Sequence, residues 1–133
     1  MTCTRLWSEA HKGTADDANK RHRWEIDYQD KLAWAGKLYL GSGIHYLVLG
    51  TPVVEMDVEG HNDWIARQMR ADPQSEVNMM VTPEMTQDYV VAQVKEKDFF
   101  GLKPDRTLAP NPAKARICDF LPEPLIELAD DLG

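Results

Sequence analysis

Cysteine is scarce in this chain: two in 133 residues, Cys3 and Cys118, near opposite ends. That argues against the dense disulfide framework of small secreted domains and predicts a reduced, intracellular protein. Long apolar runs are missing as well. No stretch approaches the roughly 20 apolar residues a membrane helix needs, and the opening MTCTRLWSEAHKG lacks the apolar core of a secretory signal. A cytoplasmic protein without membrane contact is the expectation. The chain carries no HExxH-type or paired Cys/His spacing, and Gly41-Ser42-Gly43 lacks the following lysine of a phosphate loop. Lying between apparent strands, that stretch is expected to be a turn. Internal repeats, low-complexity tracts and clear linkers are absent too, so a single domain over 1–133 is predicted, long enough to bury about two-thirds of its unfolded surface.

Positive charge is in deficit. Fifteen Lys and Arg stand against 22 Asp and Glu, a formal net charge of −7. The imbalance is confined to one part of the chain: residues 1–40 carry seven basic and six acidic side chains, residues 41–133 eight and sixteen. A strongly acidic surface repels phosphate backbones, whose neutralisation by Lys and Arg supplies most nucleic-acid affinity. The run Lys20-Arg21-His22-Arg23 does not reverse this, because successive residues on a helix point about 100° apart and surround it instead of forming a patch. The charge favours a basic protein partner, or solubility alone.

What is present is an interleaving of helical and extended patterns. Residues 14–35 predict a helix: Thr14, Asp16 and Asp17 suit its start, and Trp24, Tyr28, Leu32 and Ala35 recur at the spacing of a buried stripe. Gly36 is expected to end or bend it. Residues 37–40, 44–49 and 53–59 predict strands, with IHYLVL apolar on both faces except for His45. The first helix should pack through Trp24, Tyr28 and Leu32 on a sheet containing Tyr46–Leu49. A short helix is expected over 64–71, capped by Asn62 or Asp63, with Trp64, Ile65 and Met69 inward. EVNMMV (76–81) predicts a strand, and Thr82-Pro83-Glu84 the start of a helix reaching about residue 98 with Met85, Tyr89, Val90 and Val94 buried. Residues 102–114, with three prolines, predict an extended surface crossing. ARICDFL (115–121) predicts a last strand and 123–132 a last helix. The expected fold is α+β: a small, mostly antiparallel sheet packed against two or three helices.

Residues 53–63, VVEMDVEGHND, place Glu55, Asp57, Glu59, His61 and Asp63 on every second position. On a strand these would share a face. Glu55 to Glu59 would span about 13 Å, too far for one cation whose ligands stand at about 2.0–2.5 Å. A solvated strand face is expected, the weaker alternative being a metal site from Asp57 or Glu59 with His61, joined by His45 from the neighbouring strand. Cys118 has no neighbour that would favour its thiolate and is expected to be a small core residue. In the last helix Leu125, Leu128, Ala129 and Leu132 share a face. Glu127, Asp130 and Asp131 lie elsewhere, acids near a helix C-terminus that oppose the helix dipole.

These observations favour a small non-enzymatic binding or inhibitor protein, by analogy of class with the inhibitors that phages encode. Its acidic surface would engage a basic protein, such as one that handles nucleic acid, through Glu55, Asp57 and Glu59, with Glu127, Asp130 and Asp131 second. The alternatives are a small metal-dependent hydrolase using 55–63 and a structural subunit of a larger assembly. No cofactor is expected. Tryptophan and methionine in this number (four and six) are compatible with a homo-oligomer.

Overall fold

The structure, a computed structural model, describes residues 28–52 and 56–132. Helix α1 (Tyr28–Leu38) leads to strand β1 (Leu47–Val48), helix α2 (Val58–Met69), strand β2 (Glu76–Val81), helix α3 (Gln87–Lys97) and strand β3 (Gly101–Pro104). A 3-10 turn (Arg106–Leu108), a short helix α4 (Ile117–Phe120) and helix α5 (Glu123–Leu132) complete the described chain. The sheet has the order β1-β2-β3 and both pairings are parallel. Leu47 lies opposite Glu76 and Val48 opposite Val77, while Asn78 to Val81 lie opposite Gly101 to Pro104.

This corrects the expected antiparallel sheet. Parallel neighbours need a crossover of a dozen or more residues, usually helical, and α2 and α3 are those crossovers. The third strand, Gly101–Pro104, lies where an extended surface crossing is expected from its composition. Proline is tolerated there because β3 is an edge strand ending at Pro104. The expected last strand over 115–121 is instead α4, where the Arg116 amide donates to Asp119 Oδ2 at 2.8 Å and closes a helical turn. Cys118 on that turn is exposed, not core. Residues 37–40 finish α1 and turn away from it, so Gly36 lies inside the helix. The expected first helix is described only from Tyr28, and Trp24 lies outside the described residues.

The core forms on one face of the sheet. Val77, Met79 and Val81 of β2, alternate residues with one orientation, join Ile65, Ala66 and Met69 of α2, Val90 of α3, and Leu125 and Leu128 of α5 in one buried cluster. Tyr28 belongs to it too, with Leu32, Tyr46 and Val48 packed alongside, as the four-residue stripe predicts. The Tyr28 hydroxyl donates to Asp72 Oδ2 at 2.7 Å, and its ring meets the Tyr46 ring edge-on at 6.4 Å. Lys31 Nζ sits 3.4 Å from the Tyr46 ring centre, a cation–π contact. Burial pushes the Tyr28 phenol up to about 12. The Asp72 carboxyl is held low by hydrogen bonds from Ser75 and Tyr28. These contacts fasten α1 to the turn that enters β2.

Where β1 runs out, a side chain takes over its pairing. Asn62 Nδ2 donates to the Met80 carbonyl at 2.8 Å, and the Met80 amide donates to Asn62 Oδ1 at 2.9 Å. One carboxamide thereby satisfies both backbone groups of Met80 on the side of β2 that β1 no longer covers, as buried polar groups require. Gly50 lets the chain pass close by. A Cβ there would stand 2.5 Å from His61 Nε2 and 2.5 Å from Met80 Cε.

Candidate binding site

Of the alternating residues, Asp57, Glu59, His61 and Asp63 do not lie on a strand. Asp57 is the N-cap of α2, its Oδ1 accepting from the Gly60 amide at 2.9 Å, and Glu59 stands in the helix's first turn. Asp57 favours this role because a helix start leaves orphan amides and a partial positive charge. The geometry then inverts the expected face-sharing. Residues two apart share a side on a strand but point about 200° apart on a helix. Glu59 is accordingly exposed, while His61 is 3% exposed and turned into the molecule against Gly50, with the Trp64 ring at 6.2 Å. Burial pulls the His61 pKa below its ordinary value. Asp63 pairs with Lys97 of α3. Glu55 falls outside the described residues.

The weaker metal set is dispersed in the same way. His45 hydrogen-bonds the Gln74 carbonyl at 2.9 Å, ahead of β2, whereas Asp57 and Glu59 stand beside Thr82, just past it. The length of β2 puts about 20 Å between them at about 3.3 Å per residue. Among the described residues, no group of three or more His, Cys, Asp or Glu is placed to hold a metal ion.

The structure instead gathers Asp57 and Glu59 with residues that the sequence places far from them. An open cleft of about 530 Å³ is lined by Met56, Asp57, Val58 and Glu59 from the start of α2 and by Thr82, Glu84, Met85, Thr86 and Tyr89 from the approach to α3. It lies beyond the carboxyl end of the central strand. The local sequence builds each wall. Thr86, not Thr82, caps α3, its Oγ1 accepting from the Tyr89 amide at 3.3 Å. Thr82-Pro83-Glu84 forms the preceding turn, closed by the Met85 amide donating to the Thr82 carbonyl at 3.2 Å.

The electrostatics of this cleft are one-sided. Among the described residues, three carboxylates line it and no Lys or Arg does. Burial pushes the Tyr89 phenol up, and the carboxylates of Glu59, Asp63 and Asp57 push it further, since ionisation would add a negative charge beside theirs. Met56 and Met85 supply soft apolar walls able to follow the stem of a long side chain. Such a recess suits a cationic head on an aliphatic stem, the shape of lysine and arginine. The acids of α5, Glu127, Asp130 and Asp131, are exposed opposite the buried Leu125 and Leu128 and do not line the cleft.

Among the described residues, no helix is long and apolar enough to cross a membrane. Comparison with protein-family models, curated proteins and solved structures finds no match.

Proposed function

We propose that the protein is a small non-enzymatic binding protein of the cytoplasm, of the inhibitor class, whose acidic surface engages a basic protein such as one that handles nucleic acid. One observation carries this reading: Asp57, Glu59 and Glu84 line one cleft with Tyr89 and two methionines, and no Lys or Arg among the described residues lines it. A partner's lysine or arginine is drawn to carboxylates that share a cleft. The flanking apolar walls add stem contacts that a free cation could not use. Glu127, Asp130 and Asp131, exposed on α5, serve as a second, steering patch that speeds encounter without setting the geometry. Glu55, outside the described residues, is kept as a partner contact on the sequence pattern alone.

The test is affinity capture from host extract with two baits, the native chain and Glu59→Lys/Glu84→Lys. The native bait should retain a basic protein that elutes on raising salt, and the variant should lose it. Equal retention of the same protein by both baits would remove the cleft from the account.

A further inference from the structure

Large apolar side chains are exposed unevenly over this molecule. Of the ten exposed ones among the described residues, six fall between residues 34 and 49: Trp34, Leu38, Tyr39, Leu40, Leu47 and Leu49. The same sixteen-residue stretch contains no Asp or Glu, and its ionisable side chains are Lys37, His45 and two tyrosines. In a chain of net charge −7 that gap matters. Two copies of an acidic protein repel, and this stretch adds no acid to a surface on which they meet, exposed Glu76 opposite Leu47 standing one strand back on β2. A basic partner of the kind the cleft suits would look for acids.

The backbone of β1 is built for such a meeting. It is an edge strand, and among the described residues no strand lies on its far side. The Glu76 amide donates to the Tyr46 carbonyl at 2.7 Å, and Val48 lies opposite Val77. This turns the backbone groups of the even-numbered residues toward β2. Those of Leu47 and Leu49, which alternate with them, therefore face outward. Their side chains, 52% and 49% exposed, project from the sheet face opposite the one that carries Val48 and the core. Edge strands that avoid self-pairing carry a lysine, a proline or an inward charge; Tyr46 to Leu49 carries none of these.

We infer that β1 pairs antiparallel with β1 of a second copy about a two-fold axis at Val48, giving a six-stranded sheet across the dimer. The register is self-complementary. With the axis at Val48, Leu47 of each copy faces Leu49 of the other. Both residues have outward backbone groups, so each facing pair exchanges two N–H···O bonds. The four leucine side chains then meet on one face, as directly opposed cross-strand neighbours do. A two-fold interface of this kind presents the same surface twice and closes at two copies. It leaves the acidic cleft, which lies past the carboxyl end of β2, outside the contact, and it stands independently of what that cleft binds.

The experiment is sedimentation equilibrium of the full chain over a concentration series, with hydrogen exchange of the peptide covering residues 44–50 at the two ends of the series. The native chain should reach twice its 15.1 kDa mass, and the Leu47 and Leu49 amides should exchange at least about tenfold more slowly in the dimer than in the diluted monomer. Leu47→Lys/Leu49→Lys should weaken association at least about a hundredfold by placing four cations at the seam, whereas Phe100→Lys, exposed elsewhere, should leave it unchanged. A native chain that stays monomeric throughout would overturn the inference. So would a dimer whose 44–50 amides exchange as fast as the monomer's, or one that survives the double lysine variant. Exchange on the native chain decides the matter even if that variant misfolds.

Discussion

Asp57, Asn62 and His61 show how different three neighbouring polar residues can be. Asp57 caps α2, so Asp57→Ala should lower stability by about 1 kcal/mol. Glu59→Lys, which loses a favourable helix-dipole interaction and an exposed side-chain hydrogen bond with Tyr89, should cost less than that. Chemical denaturation of the two variants separates these roles, and it makes Glu59 and Glu84 the cleaner positions for binding tests. Asn62 holds both backbone groups of Met80; Asn62→Ala strands them in the interior and should cost about 2–4 kcal/mol. His61 is buried with its pKa pulled down by desolvation, so the folded chain binds its proton less readily than the unfolded chain does. The stability it permits is complete above the unfolded value of about 6.5 and declines as pH falls below it. The melting temperature should therefore drop between pH 7.5 and 5.5, and His61→Gln should flatten that slope. A native chain with a flat profile over this window would show that His61 is not shielded.

The elements differ in how plainly the sequence announces them. EVNMMV is a strand from Glu76 to Val81 as its pattern predicts, because a central strand is buried along nearly its whole length and needs no polar alternation. The last helix and the α3 stripe through Val90 are equally plain. The acidic segment misleads because its period of two imitates a strand, while the decisive signal is local: Asp57 three residues ahead of Gly60, the spacing of a cap hydrogen bond. The third strand is hidden by Gly101 and Pro104, residues that count against strands except at edges. Reading the start of α2 as extended turns the crossover between β1 and β2 into an apparent hairpin. Missing β3 leaves α3 without a parallel strand to lead into, and the sheet direction goes wrong. The tie between α1 and the turn before β2 is a side-chain matter that periodicity does not report. Removing it with Tyr28→Phe should cost about 1 kcal/mol. The Asp72 contribution should persist down to its unfolded value near pH 3.8 and vanish as pH falls through the lower folded one. Thermal unfolding of Tyr28→Phe, and of the native chain at pH 5 and pH 3, measures both.

At the scale of the whole molecule, parallel topology makes the site. Asp57 and Glu59 are acids of concern in the sequence alone, but Glu84, Met85, Thr86 and Tyr89 join them only because the chain returns through α2 to a strand running in the same direction. No spacing rule connects residue 57 to residue 89. The same topology carries His45 to the far end of β2 and His61 inward, which disperses the metal set. The central claim is that this cleft accepts cationic side chains. Its most direct measurement is an NMR titration of the labelled chain with a short arginine- and lysine-rich peptide at low and high salt. Saturable shifts are expected, centred on Glu59, Met85, Thr86 and Tyr89 and weakened by salt and by Glu59→Gln/Glu84→Gln. Shifts spread evenly over every acidic residue, or confined to Glu127, Asp130 and Asp131 with the cleft silent, would contradict that claim.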